Sequence, residues 1–365
     1  MPWLAVLPLL VACPVAAQSP SGSPPSFEAF DQLRIIAPAA PGGGWDQTAR
    51  VMQQALQGTG IARTAPVENI PGAAGTIGLA RFIGAERGSG DAVIVSGLIM
   101  LGGIVTYESP VTLRDATPLA RLTGEYEVIV VPVDSPYRSL QDLLDAFTER
   151  PEAISWGGGS AGGSDQILVG LIAEAVGVSP SRVNYIAFSG GGESLSAIVG
   201  GQVTAGINGL AELAAQIESG SVRALAISSG ERLQGLAVPT LREQGIDIEF
   251  ENWRSVLAPP GISPADRTRL AAAIEAMVQS EPWREALEQY RWIDRYLGGD
   301  GFARYAETEE TRVRAILRQF GTGDEEAGTL TSAGPYPIVV LAGLLIFGGL
   351  AVWSVKREAP SAVQE

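Results

Sequence analysis

The stretch LRIIAPAAPGGGWD, residues 33–46, shows the structural unit that the rest of the sequence repeats. Its β-branched beginning, Leu33–Ala37, is typical of a short buried strand. A turn rich in proline and glycine follows, and a helical pattern then runs from Trp45 to Gln57. The stretch therefore predicts a strand that leads into a helix through a glycine turn, which is the unit from which α/β sheets are built.

The same alternation continues along most of the chain. Further strands are predicted at residues 65–69, 92–96, 128–133, 154–156, 183–186, 205–208 and 222–228. Helical patterns fall between them, at residues 76–85, 140–147, 166–176, 193–199 and 210–218, and the last third is mainly helical, at 263–279 and 302–320. This order predicts an α/β fold with largely parallel sheets.

Four of the predicted strands end in glycine-rich turns that lead into helices. We name these turns the first (residues 41–46), second (71–76), third (157–164) and fourth (189–193) glycine loops. A helix start offers unpaired amides and a positive dipole end, and glycine lets an anion approach the backbone closely. One such run is typical of any tight turn, but four together indicate an anion-binding site.

Two nucleotide-binding patterns compete with this interpretation. The third loop contains Gly157-x-Gly159-x-x-Gly162, which matches the dinucleotide fingerprint, but residues 185–189 lack the acidic residue expected to bind a ribose. None of the glycine runs ends in Gly-Lys-Ser/Thr, so there is no phosphate loop of the Walker type. A small anion is therefore the preferred ligand.

Composition narrows the class of protein. The chain has 365 residues, enough for two domains, with 25 Lys+Arg against 40 Asp+Glu and a formal net charge of −15, which argues against nucleic acid as a partner. It has no histidine and one cysteine, Cys13, so serine–histidine and cysteine–histidine nucleophiles and the usual zinc sites are excluded. Carboxylate and lysine chemistry remain formally open, but we expect no enzymatic activity, no metal site and no cofactor.

The two ends of the chain predict export and membrane attachment. Residues 1–17 resemble a signal peptide followed by a linker at 18–26, although Leu10–Cys13 also resembles a lipoprotein box that would make Cys13 a lipidation site. A second linker, 321–335, precedes an uncharged segment at 336–355 that is long enough for a transmembrane helix. The basic residues that begin the tail, 356–365, place it in the cytoplasm and the rest of the chain in the periplasm, as a single-pass anchored protein.

Two segments together resemble a known protein family. They are APAAPGGGWDQTAR, residues 37–50, and ENIPGAAGTIG, residues 68–78, followed later by Gly200–Val203 and by Leu225–Ile227 leading to Val238–Leu241. In this order the motifs are similar to those of the substrate-binding proteins of tripartite tricarboxylate transporters. The resemblance extends from about Leu33 to Phe320.

The resemblance implies a two-lobed periplasmic binding protein, type II-like, with two Rossmann-like lobes and a ligand cleft between them. The first lobe would comprise residues 27–124 and 250–320, and the second lobe residues 125–249. With the C-terminal transmembrane helix, this completes the predicted architecture. The family likeness also implies that membrane permease subunits are partners.

By the same likeness, loops of both lobes would hold the carboxylates of the ligand. The implied ligand-binding residues are Gly43, Gly44, Trp45, Asp46, Ser160, Gly162, Ser164 and Asp165, with Gly191 and Gly192 as weaker candidates. The first loop, with its tryptophan, resembles the first loop of the tricarboxylate branch of the family. A citrate-like di- or tricarboxylate is therefore the expected ligand. A membrane-tethered carboxylate sensor that presents its ligand to a signalling partner is the alternative function.

Overall fold

The computed structural model describes residues 28–319. Twelve strands in this range form the sheets: β1 (Phe30–Gln32), β2 (Arg34–Ala37), β3 (Ala62–Thr64), β4 (Val67–Asn69), β5 (Ala92–Gly97), β6 (Thr117–Pro132), β7 (Ser155–Gly158), β8 (Asn184–Ala187), β9 (Ala205–Gly209), β10 (Val222–Ile227), β11 (Glu251–Ala258) and β12 (Ile293–Gly298). The helices are α1 (Gly44–Gly58), α2 (Thr76–Ala85), α3 (Leu98–Thr106), α4 (Leu140–Glu149), α5 (Ser164–Ala175), α6 (Gly191–Val199), α7 (Leu210–Glu218), α8 (Pro264–Val278), α9 (Glu281–Tyr290) and α10 (Gly299–Gln319).

Strand β6 joins two halves of a ten-stranded sheet, whose order is β4-β2-β5-β11-β6-β9-β7-β8, with β10 and β12 also paired to β6. The first part of β6, residues 117–126, runs antiparallel to β11, and residues 127–130 run antiparallel to β9. The change of partner between Tyr126 and Glu127 is the place where the chain passes from one half to the other. The predicted lobe boundaries, 124/125 and 249/250, remain predictions.

The sheet is mixed rather than largely parallel. Strands β2, β4 and β5 are parallel to one another, as are β7, β8 and β9. Strands β6, β10, β11 and β12 instead pair in antiparallel fashion. The parallel part follows from the strand–helix alternation, since a crossover helix returns the chain in the same direction.

Helix starts are fixed by local chemistry. Ser139 caps α4 and forms a capping box with Asp142, and Ser263 caps α8, which has Pro264 at its first position. Helices α1, α5, α6 and α7 begin differently, because each is preceded by a glycine without a capping side chain. All four begin at the site described below.

The predicted fold class is wrong in one respect, the transmembrane helix. Within residues 28–319 the structure has no helix that is both long and apolar enough to cross a membrane. The longest, α10, carries charged residues along its whole length, from Asp300 to Arg318. Residues 28–319 form a two-lobed α/β fold, and the structure supports neither the predicted single-pass anchor nor membrane attachment through it.

The other predictions for the chain ends cannot be compared with the structure. The signal peptide (1–17), the linkers (18–26 and 321–335), the segment 336–355, the tail (356–365) and the candidate lipidation site Cys13 lie outside the described residues. Within the described range, the helical predictions 76–85 and 210–218 coincide with α2 and α7.

Candidate functional site

All four glycine loops meet at one cavity of about 360 Å³. The first contributes residues 43–45, the second 71–75, the third 159–161 and the fourth 189–191 with Glu193. The remaining wall includes Asn208, Glu212, Asn252 and Arg254. A cavity of this volume is within the range of small-molecule sites.

Six of the ten predicted ligand-binding residues line this cavity: Gly43, Gly44, Trp45, Ser160, Asp165 and Gly191. The other four, Asp46, Gly162, Ser164 and Gly192, lie outside its lining. The loops thus lie together as the glycine pattern indicates, but they do not present every predicted residue to the cavity. Direct contact of any of the ten with a ligand remains a prediction.

Asp46 holds the first glycine loop in shape from the first turn of α1. Its carboxylate accepts hydrogen bonds from the Gly42 amide (2.8 Å), from Arg50 Nε (2.9 Å) and from Asn69 Nδ2 (2.9 Å). Burial raises the pKa of Asp46, but these hydrogen bonds outweigh it and hold the pKa below its usual range. Asp46 therefore orders the loop, and its side chain does not face the cavity.

Replacing Asp46 by asparagine is expected to lower the free energy of unfolding by about 1–3 kcal/mol at neutral pH, because a charged acceptor with three donors is lost. The pKa of Asp46 is lower in the folded than in the unfolded protein. The carboxylate therefore stabilises the fold fully at a pH above its pKa in the unfolded protein, and this stabilisation is lost as the pH falls through its pKa in the folded protein. Urea unfolding at pH 7 and in acid measures both effects. Equal stability of Asp46→Asn and the exposed control Asp134→Asn at pH 7 would contradict this role.

Trp45 both packs and faces the cavity. Its side chain is 6% exposed and contributes to the lining. A Cβ on Gly75 would lie 2.6 Å from the Trp45 ring, so the indole packs directly on the backbone of the second loop. Gly75 also has a positive φ of 88°, which favours glycine. Trp45 thereby ties the first loop to the second.

The third glycine loop is closed by Asp165 at the start of α5. The Asp165 carboxylate accepts a short hydrogen bond from the Gly159 amide and another from the Ser164 hydroxyl (3.1 Å). Burial nevertheless raises the pKa of Asp165 to about 6. Ser164 is fully buried beneath the loop, whereas Ser160 lies on the cavity wall.

Gly162 contacts protein rather than the cavity. It has a φ of 71°, and a Cβ there would overlap Thr106 Oγ1 of α3. On the other side of this contact, a Cβ on Gly102 would overlap the Gly162 carbonyl oxygen. Helix α3 therefore packs backbone to backbone on the third loop, across the predicted lobe boundary.

Several loop amides are already hydrogen-bonded inside the protein. Four donate to nearby side chains: Gly42 to Asp46, Gly159 to Asp165, Gly162 to Gln166 and Ser189 to Glu193. These four amides are therefore not available to a ligand in this structure. The positive ends of α1, α5, α6 and α7 still converge on the cavity and favour an anion there.

Arg254, in the middle of the buried strand β11, supplies the cationic group of the site. Arg254 is 2% exposed and lines the cavity, and its guanidinium forms a short ion pair with Glu125 of β6. Glu125 also accepts a hydrogen bond from the Ala211 amide at the start of α7 (2.7 Å). Within the described part of the chain, Arg254 Nη1 has no hydrogen-bond partner although it is buried. A buried cationic donor without a partner is a ready contact for a carboxylate.

Glu212, in the first turn of α7, lies among the loops. The Gly44 amide donates to its carboxyl, and Asn208 Nδ2 lies 3.3 Å from its Oε2. Burial, and next the charge of Glu125, raise the pKa of Glu212 to about 8. A pKa of about 8 favours the protonated form of Glu212 at neutral pH, which limits the negative charge that Glu212 adds to the cavity.

Sequence reasoning missed both Arg254 and Glu212. For Arg254 the signal was available, because it is the single charge within the buried residues 252–258, and a buried charge must be paired or functional. Glu212 follows the single glycine Gly209, so its strand–glycine–helix turn lacks the run of glycines that marks the four loops. The cluster of carboxyls around it forms no group that could hold a metal ion, as far as residues 28–319 are concerned.

Comparisons with known proteins indicate one family. Residues 48–322 match a family model described as the tripartite tricarboxylate transporter family receptor. The protein BugT of Bordetella pertussis is 29% identical over 285 residues, which cover 76% of this chain and 82% of BugT.

Two solved structures show the same fold at lower identity. MatC from Rhodopseudomonas palustris, with bound malate, is 22% identical with a TM-score of 0.69, and the match covers 78% of this chain and 98% of MatC. A second R. palustris protein, solved with adipate, is 21% identical with a TM-score of 0.73 over 80% of this chain and 98% of that one. The family model covers most of the chain and the fold agrees, so this chain belongs to the tripartite tricarboxylate transporter receptor family, whose members are periplasmic solute-binding receptors and not enzymes.

Proposed function

We propose that this receptor captures a small dicarboxylate, in the size range of malate and adipate, and delivers it to the permease subunits of a tripartite tricarboxylate transporter. The observation that carries the proposal is the buried Arg254, which lines a cavity where four helix starts converge and whose Nη1 has no hydrogen-bond partner among the described residues. One charge-assisted hydrogen bond contributes about 1.5–3 kcal/mol, so a few such contacts support micromolar affinity.

Charge favours two carboxylates over three. Besides Arg254, the titratable lining residues are Tyr107 and the acids Asp165, Glu193 and Glu212, and Arg254 is already paired with Glu125. Each further ligand carboxylate must therefore sit nearer to an acidic side chain, in a site where water screens little. Citrate, the ligand suggested by the resemblance, is for this reason the second candidate.

The malate and adipate found in two relatives support the same class of ligand. Delivery to a permease follows from the family description, which names a transporter receptor. Closure of the two lobes on the ligand would provide the signal to the permease, since open and closed states present different surfaces.

A ligand panel tests the proposal. The full chain is titrated calorimetrically with succinate, malate, adipate, citrate and tricarballylate, and with the neutral diamide of succinic acid as a control. We expect micromolar binding of at least one dicarboxylate, weaker binding of citrate and no binding of the diamide. If no acid of the panel binds, the assignment of a carboxylate ligand is wrong.

A valine at Gly44 should abolish this binding. A Cβ there would lie 2.5 Å from Arg254 Nη2 and 3.0 Å from Glu212 Oε1, so the larger side chain displaces both polar groups. The matched control is Gly84→Val in α2, where a Cβ has nothing within 4 Å. Calorimetry is expected to show at least a hundredfold weaker binding for Gly44→Val only. Unchanged affinity would place the ligand away from the first loop.

A further inference from the structure

The Glu212 side chain lies at the meeting point of three elements. Its carboxyl is next to Gly44 at the start of α1, next to Gly191 at the start of α6 and near the Arg254 guanidinium of β11. A Cβ on Gly191 would overlap Glu212 Oε2, so the absence of a side chain at Gly191 makes room for this carboxyl. Glu212 itself belongs to a fourth element, α7.

The surroundings of Glu212 are rich in acid. Glu125 and Glu127 face it from β6, Asp165 faces it from α5, and Arg254 is the cation near it. Arg254 already neutralises Glu125 through their ion pair. Burial, Asp165 and Glu125 raise the pKa of Glu127 well above its ordinary value. An ionised Glu212 would therefore add an uncompensated charge to this cluster.

We propose that Glu212 contacts the ligand and determines its specificity by acting as a neutral acid, which donates a hydrogen bond to a carboxylate of the ligand. This inference rests on the proposed function, because it assumes a carboxylate in the cavity. The protonated carboxyl of Glu212 adds a second hydrogen-bond donor next to Arg254, which an ionised Glu212 could not supply. A ligand whose end group is itself a donor, such as an ammonium, gains nothing from this arrangement.

The proposal predicts how ligand affinity depends on pH. The pKa of Glu212 is about 8 in the free protein, so the donor is present at pH 7 and is lost above pH 8. Once ionised, the Glu212 carboxylate repels the ligand carboxylate at close range. Affinity for a dicarboxylate should thus stay level near pH 7 and then fall by up to about tenfold per pH unit above pH 8.

The variant Glu212→Gln separates this role from a structural one. Glutamine has nearly the same shape, keeps a donor at every pH and cannot ionise. We expect Glu212→Gln to bind the dicarboxylate within about threefold of the unmodified protein at pH 7, and with no loss up to pH 9.5. The control is Glu218→Gln, an exposed position near the end of the same helix, which should keep the pH dependence of the unmodified protein.

Calorimetric titrations of the three proteins at pH 6.5, 7, 8.5 and 9.5 give the answer, using the dicarboxylate that binds best in the panel. A fall in affinity above pH 8 that disappears only in Glu212→Gln supports the proposal. The same fall in all three proteins overturns it. A loss of affinity of more than tenfold in Glu212→Gln at pH 7 also overturns it, because it would mean that Glu212 is ionised and accepts a hydrogen bond from a donor on the ligand. Absence of binding to the unmodified protein at every pH would instead refute the carboxylate function itself.

Discussion

Replacing Arg254 by methionine is expected to abolish dicarboxylate binding and to lower the free energy of unfolding by about 3–5 kcal/mol. Methionine occupies a similar volume without charge, so the change leaves Glu125 buried with no cation beside it. The ligand loses the one buried cationic donor that lines the described cavity. Urea unfolding measures the first effect, and calorimetry with the best-binding acid measures the second.

A double variant distinguishes the two effects. Adding Glu125→Gln to Arg254→Met removes the uncompensated charge, so part of the lost stability should return. Binding should not return, because the donor to the ligand is still missing. Full affinity in either the single or the double variant would show that Arg254 does not hold the ligand, whatever its contribution to folding.

Replacing Gly102 by alanine is expected to weaken ligand binding by about 5- to 150-fold, equivalent to the roughly 1–3 kcal/mol that overpacking costs. A Cβ at Gly102 would overlap the carbonyl oxygen of Gly162, so helix α3 could no longer pack on the third glycine loop. This contact spans the predicted lobe boundary, and the added methyl group should hold the two sides of the cavity apart. Calorimetry gives the affinity, and small-angle X-ray scattering with ligand gives the radius of gyration.

The matched control is Gly84→Ala, which places the same methyl group in open space on helix α2. It should bind normally and be no less stable, since alanine favours a helix more than glycine does. If Gly102→Ala binds as tightly as this control and remains equally compact, the contact between α3 and the third loop has no part in closure.

Local patterns predicted much of the fold, because most strands and helices here carry their own signals. The β-branched runs gave β2, β5, β9 and β10 almost at their observed bounds, and helical periodicity gave α2 and α7. Strand β6 was predicted only in its last part, since residues 117–127 mix one proline, charges and one glycine. Helix α3 was missed because its nine residues are apolar on all sides and show no helical period.

The site was predicted in outline and not in detail. Glycine loops identify where a strand meets a helix, and all four loops do meet at the cavity. Which of their amides remain available depends on side chains that fold back on them, such as Asp46 on Gly42 and Asp165 on Gly159. Arg254 comes from another part of the chain and reaches the cavity only through the pairing of β11 with β5 and β6, which local patterns do not encode.

A structure of the full chain bound to the tightest dicarboxylate of the panel tests the central claim most directly. The account predicts a ligand carboxylate within hydrogen-bonding distance of Arg254 Nη1, next to the starts of α1 and α6. A ligand seated outside the four loops, or one whose amino or hydroxyl group occupies that position while its carboxylates face solvent, would contradict it.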